Sequence, residues 1–275
     1  MSMWADAFNV ADDELDIARL AFTIAQGEYP DLDVDAQLQR LDDLAAQIPT
    51  TNHGLEGLRE LLFEQLGFRG NDSNYYDARN SYLNDVLDRR MGIPITLSAV
   101  YLELGWRIGL DLAPISFPGH FLVRFRDPHR SSDGAPTEVF IDVFRQAETP
   151  SRTALVQRLE QIFGGRVGPG LDLEQVFTPC SRREVVARML RNLKQIYVQA
   201  KDWERALRVS DQLLHAEPTL APHYRDRGFL YAQVGHNEAA MADCRRYLGM
   251  VPKAQDATQV RALLTRCAAG STRLN

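Results

Sequence analysis

RMGIPITLSAVYLELGWRIGL (residues 90–110), DLAPISFPGHFLVRF (111–125) and TEVFIDVF (137–144) are the stretches whose reading decides the fold. Pro94 suits the first turn of a helix, because the N–H it lacks would have found no intrahelical acceptor there. A helix is therefore expected over residues 93–109, after a break at Gly92. Within it Ile95, Leu97, Ala99, Val100, Leu102, Leu104 and Trp106 lie on nearly every side, which a surface helix could not tolerate. This is the pattern of a buried central helix. LAPISF, HFLVRF and EVFIDVF follow, each short, β-branched or aromatic and bounded by Pro, Gly or Asp, as strands are. A sheet is expected over residues 111–144.

The last two strands bring chemistry together. If Arg126 faces Thr137 across a hairpin, His120 falls opposite Val143 and beside Asp142. Opposed residues share one face of a sheet, so His120 and Asp142 are expected to hydrogen-bond, an arrangement that orients an imidazole.

Upstream, the chain reads as helical to about residue 90. Leu15, Ala18, Ala21, Phe22 and Ala25 follow the helical spacing up to Gly27, and Leu38, Leu41, Leu44, Ala45 and Ile48 repeat it up to Pro49. Asp33 and Asp35 are candidate caps, and a third helix is expected over residues 55–66. The segment GFRGNDSNYYDARNSY (67–82) is dense in Asn, Asp and Tyr; it reads either as a binding rim or as a loop held by its own side-chain hydrogen bonds. Asn80 to Arg90 reads as a further helix with Tyr82, Leu83, Val86 and Leu87 inward. Its Arg89 and Arg90 either grip a carboxylate or complement the helix dipole. Asn80, Tyr82, Arg89, Arg90 and Ser98 are the candidate cleft or peptide-binding residues.

The run NYYDARNSYLNDVLDRRMGIPITLSAVYLELGWRIGL (74–110), with FPGHFLVRF and FIDVF, resembles the SirB-type, transglutaminase-like proteins, which carry C-terminal tetratricopeptide repeats. The resemblance implies an α+β papain/transglutaminase-like core. Active relatives use a Cys at the start of the central helix, a His on the next strand and an Asp on the one after. His120 matches the His and Asp142 the Asp. The place of the Cys falls near Ile95 and Thr96, where this chain has none, and Thr96 and Ser98 are the nearby hydroxyls. A helix N-terminus favours an anion by about 0.3–1 kcal/mol. That assists a thiolate whose free pKa is about 8.5 but cannot ionise an alcohol, so a Thr or Ser would need His120 as a true general base.

Composition bounds the rest. The chain has 275 residues, 45% of them hydrophobic and 25% charged, ordinary for a globular protein. No apolar run approaches the roughly 18 residues of a membrane span, and MSMWADAFN has neither the basic nor the apolar region of a signal peptide, so a cytoplasmic protein without membrane contact is expected. Cys180, Cys244 and Cys267 show no CxxC spacing and signal neither disulfides nor a metal site. Residues 1–50 hold 11 acids against 2 arginines (−9), residues 178–275 hold 16 basic residues against 9 acids (+7), and the middle is −4. An acidic front argues against nucleic acid, which needs a basic footprint. The glycines of GGRVGPGLD (164–172) fit no phosphate-binding pattern, and no cofactor is expected.

Beyond residue 144, TPSRTALVQRLEQIF reads as a helix capped by Ser151. The C-terminal segment repeats itself: Tyr197 and Tyr231, Ala206 and Ala240, Leu214 and Leu248, Pro218 and Pro252 are each 34 residues apart. That is the tetratricopeptide period. Lys194 replaces the usual Gly that Gly228 keeps, and Cys244 falls at a buried position. Two repeats and a final helix around Gln259 to Ala268 fall short of the roughly three repeats that stand alone.

The sequence thus describes a transglutaminase-like α+β domain over residues 1–163, a linker at 164–178 and a tetratricopeptide-like all-α repeat pair over 179–275. The function expected is a non-catalytic protein- or peptide-binding or regulatory module that acts through its cleft and its tetratricopeptide repeats. The alternative is an acyl-transfer enzyme or hydrolase that uses His120 and Asp142 with Thr96, Ser98 or water.

Overall fold

The structure is a computed structural model that describes residues 4, 7–49, 54–127, 137–165 and 172–271. The chain divides into two compact units, Ala11–Met189 and Leu190–Asn275 with Met1–Val10.

In the first unit α1 (Ile17–Gln26) buries all but a few of its side chains, and Asp16 caps it by accepting the N–H of Arg19. Helix α2 (Val34–Ala45) is capped by Asp33, while Asp35 lies in its first turn and pairs with Arg19 at 2.9 Å. The third helix differs from expectation. Only Leu55–Arg59 (α3) is a regular α-helix; Glu60–Gln65 widens into a π-turn, which carries three consecutive apolar residues, Leu61, Leu62 and Phe63, into the core. Arg69–Gly70 (β1) then pairs in parallel with Met91–Gly92 (β2), on either side of a shorter helix than expected, α4 (Leu83–Arg89). Tyr82, just before it, and Leu83, Val86 and Leu87 are buried, as the apolar pattern indicates, and Asn84 is buried with them.

The central helix α5 (Pro94–Arg107) is buried at every position from Pro94 to Gly105. Even Glu103 is inside, its carboxylate accepting the N–H of Ala18 at 3.1 Å and pairing with Arg107. Against α5 lies an antiparallel sheet in sequence order: β3 (Leu112–Ile115), β4 (Leu122–Asp127) and β5 (Thr137–Ile141). Its register differs by one residue from the sequence-based pairing, since Thr137 faces Asp127 and Arg126 faces Glu138. The hairpin's length in sequence does not fix which residues close it, so a slip of one was open.

Helix α6 (Arg152–Ile162) is capped by Ser151, which accepts the N–H of Ala154 at 3.2 Å. The stretch read as a linker is not one throughout: residues 166–171 lie outside the described residues, but Leu173–Phe177 forms a short helix, α7, capped by Asp172. Phe177 packs into a cluster with Ile115, Phe117, Leu122, Phe140, Leu155 and Leu159. Apolar side chains at Leu173, Val176 and Phe177 are what the glycine-rich reading overlooked. The boundary of the first unit accordingly falls at Met189, inside α8 (Arg182–Gln199).

The second unit continues with α9 (Trp203–Ala216), α10 (Ala221–Gln233), α11 (Asn237–Met250) and α12 (Ala257–Ser271). Of the repeat positions, Tyr197, Ala206, Leu214 and Ala240 are buried. Ala206 and Ala240 are fully buried, and a Cβ on Gly228 would stand 2.9 Å from the Cys244 sulfur. Lys194 is accommodated by turning its ammonium to Asp226, 2.7 Å away.

Candidate functional site

The site begins with a turn. Phe117, Pro118, Gly119 and His120 follow the pattern of a type II turn, with Pro second and a third residue at positive φ. Gly119 has φ +66, and the His120 N–H donates to the Phe117 carbonyl at 3.0 Å. His120 therefore precedes β4 instead of lying on it as expected, because the proline–glycine pair bends the chain before pairing resumes at Leu122. Asp142 follows β5 directly and caps a short 3-10 turn over Val143–Arg145, accepting the Arg145 N–H. Two non-glycine residues in the left-handed region, Gln146 and Ala147, then turn the chain so that the Asp142 N–H meets the Glu148 carbonyl at 2.7 Å. Such residues cost about 1–3 kcal/mol each and persist where the surroundings enforce them.

These two turns bring His120 and Asp142 together. Nε2 of His120 lies 2.7 Å from Asp142 Oδ1, and both side chains are buried. Burial pushes the Asp142 carboxyl up, but the hydrogen bond and charge of His120, then Arg158 and the Arg145 N–H, outweigh it and hold the group below the usual carboxylate range. Arg158 Nη1 stands 3.4 Å from the other carboxylate oxygen. An ionised carboxylate only accepts, so Nε2 of His120 donates its proton to Asp142. The ring has no other hydrogen-bond partner among the described residues; the Phe144 ring meets it edge-on at 6.0 Å. Phe144 in turn lies against the exposed Tyr75, 6.4 Å between centroids.

Neither hydroxyl near the start of α5 meets the imidazole. Thr96 is fully buried; its Oγ1 donates to the Asn80 carbonyl at 2.7 Å and accepts the Ile93 N–H at 3.1 Å, closing the helix N-terminus. Ser98 is fully buried too, and its hydroxyl has no hydrogen-bond partner among the described residues. Cys180, the one cysteine between Ala11 and Met189, is no substitute for the missing thiol. Burial above all, with Glu184 nearby, pushes its pKa up to about 12, the reverse of what a nucleophilic thiol needs.

The remaining candidates support the scaffold around the site. Asn80 is fully buried, accepting from Asn71 Nδ2 at 3.0 Å and donating to the carbonyls of Asn74 and Tyr75 at 2.7 and 3.2 Å. The Asn-rich segment is thus held by its own side chains, and it presents Tyr75 and Tyr76 to solvent. Tyr82 is buried edge-on against Tyr29. Arg89 reaches Asn80 Oδ1 at 3.3 Å and Asp77 at 3.5 Å. Arg90, in the left-handed region at φ 54, donates to the Leu66 carbonyl at 2.8 Å. Each guanidinium already has an internal acceptor.

Sequence reading missed Arg188, which hydrogen-bonds the carbonyl of His120 itself. The signal was present: a lone charge in VVARML, where Val185, Val186, Ala187, Met189 and Leu190 are all buried, must find partners inside. Among the described residues no group of His, Cys, Asp and Glu is placed to hold a metal ion, and no helix is long and apolar enough to cross a membrane.

Comparison with known proteins agrees with this fold. The transglutaminase-like superfamily profile matches residues 32–191, and a tetratricopeptide repeat profile matches residues 193–265. A UPF0162 protein of Xylella fastidiosa strain Temecula1 is 34% identical over 271 residues, 96% of this chain and 94% of the relative. UPF0162 protein YchA of Escherichia coli K12 is 28% identical over 254 residues, 90% of each chain. F-box only protein 21 of Mus musculus is 32% identical over 147 residues, 54% of this chain but 22% of the relative. The chain belongs to the transglutaminase-like superfamily, in the UPF0162, SirB-type family that joins that domain to tetratricopeptide repeats.

Proposed function

We propose that this protein is a non-catalytic, cytoplasmic transglutaminase-like module that binds a protein or peptide, with the tetratricopeptide repeats supplying most of the affinity. The observation that carries the reading is the pairing at His120: its ring hydrogen-bonds Asp142 and, among the described residues, nothing else. Nucleophilic catalysis needs a nucleophile within hydrogen-bond reach of the base. The Thr96 hydroxyl is directed to the Asn80 carbonyl instead. The partial match to F-box only protein 21, covering 22% of that relative, fits a portion of the chain used as a module in larger proteins. On the repeats, Val198, Leu220, Met250 and Val251 are exposed apolar residues suited to a polypeptide partner.

A second reading has one observation in its favour. With Nε2 donating to Asp142, Nδ1 is the nitrogen that serves as base in the neutral ring, for a water or an incoming hydroxyl in hydrolysis or acyl transfer.

Affinity capture with the full chain separates the two. Under the first reading, partners are retained by His120→Ala and lost by a Val198→Asp, Met250→Asp double variant. Partners lost on His120→Ala alone, or retained by the double variant, would overturn it.

A further inference from the structure

We propose that Arg188 is the positioning residue of the His120–Asp142 site, the group that fixes where the imidazole stands. The sheet does not do so. Its hydrogen-bonded ladder ends at the Ile115–Leu122 pair, leaving residues 116–121 outside it. Within that gap two backbone bonds are made, from the His120 N–H to the Phe117 carbonyl at 3.0 Å and from the Phe117 N–H to the Ile115 carbonyl at 2.9 Å. The guanidinium of Arg188 adds side-chain bonds to both sides of the turn. Its Nη2 donates to both carbonyls that bracket the turn, Phe117 at 3.1 Å and His120 at 2.6 Å, while Nη1 donates to Ser116 Oγ at 2.7 Å. Its carbon also lies 5.5 Å from the centre of the Phe121 ring. Every residue from Ser116 to Phe121 except Pro118 and Gly119 is therefore touched by this one side chain.

Only an arginine meets this set of acceptors, because its planar fork presents several N–H donors in fixed directions whereas lysine offers a single point of charge. Glu184, one helical turn earlier on α8, reaches the same Ser116 hydroxyl at 3.4 Å, so one face of that helix serves the turn. This also gives a physical reason for the superfamily profile to run on to residue 191, well past the last strand at Ile141. The part of α8 that precedes the repeats belongs to the site. The inference rests on the assembled His120–Asp142 pair, and it holds whether or not that pair does chemistry.

The test is nitrogen-resolved NMR of the full chain with labelled histidine, His120 being assigned from His120→Gln. In the unaltered protein His120 is expected to show the Nε2–H tautomer with a proton protected from exchange. Arg188→Met should abolish that resonance while helix content is kept, and Arg188→Lys should restore it only in part. Ser116→Ala, which removes one acceptor without disturbing the apolar cluster, should speed exchange of the proton by about tenfold, the worth of one charge-assisted hydrogen bond. Arg152→Met, which removes a guanidinium from the Phe177 ring, should leave it unchanged. If Arg188→Met folds and the His120 signal persists with the same tautomer and protection, the positioning role is wrong; if Arg188→Met fails to fold, an unchanged signal in Ser116→Ala overturns it equally. Absence of the protected proton in the unaltered chain would instead refute the pair itself, a separate failure.

Discussion

At Asp142 two effects oppose each other, and their balance sets a pH dependence. Burial alone would raise the carboxyl, but His120, Arg158 and the Arg145 N–H bring it below its ordinary value. Between that lowered value and the unfolded value of about 3.9 the unfolded chain binds more protons, so stability rises with pH there. The contribution is fully present above about pH 4 and is lost as pH falls through the folded-state value. Glu103 acts with the opposite sign. Its burial outweighs Arg107 and raises it, so the folded state gains stability as that group takes up a proton. Asp142→Asn isolates the first effect. It should cost about 1–3 kcal/mol at pH 7, the usual penalty for leaving a buried polar partner poorly matched, and should flatten the loss of stability below pH 4. Denaturant titrations from pH 3 to 7 check both; an unchanged acid limb would show that the pairing adds nothing to the fold.

The elements differ in how legible they were. The central helix could be read because Pro94 marks its start and apolar residues surround it, signals that depend on neighbours in sequence. The pairing of His120 with Asp142 was legible because strand order is nearly forced, yet the register slipped by one and His120 moved from strand to turn. Asn80, Arg89 and Arg90 show the limit. Residue type says that they can bind, and only the folded chain says that Asn71, Asp77 and the Leu66 carbonyl are their acceptors. Arg188 lay further out of reach, since its partners are 68 to 72 positions away. Close approach of backbone to ring is likewise invisible beforehand. A Cβ on Gly70 in β1 would stand 2.5 Å from the Phe144 ring, so the ring, which meets His120 and Tyr75 edge-on, has to shift. Gly70→Ala should cost about 1–3 kcal/mol, as overpacking does, and should shift the His120 ring resonances. A stability within a few tenths of the unaltered protein's, with those resonances unmoved, would show that Phe144 yields freely.

At the scale of the whole molecule the boundary inside α8 has a direct consequence. A fragment from Leu171 to Asn275 takes Phe177, Val185, Val186 and Met189 away from the unit that buries them, and it retains fewer repeats than the roughly three that are self-supporting. It should be largely unfolded by circular dichroism, and a cooperative melt as a monomer would show that the repeats need no more than themselves. The unit that remains, ending near residue 170, would lack Arg188 as well as Phe177.

What the assembled site does is tested most directly by hydrolysis of p-nitrophenyl acetate, comparing the full chain with His120→Ala at pH 7. An activated ester needs little substrate recognition and reports attack by a hydroxyl, a thiol or water alike. A His–carboxylate pair with no nucleophile of its own should give equal rates in both proteins. A rate that falls by about a hundredfold or more on His120→Ala, the least that a working general base contributes, would contradict it and establish an enzyme.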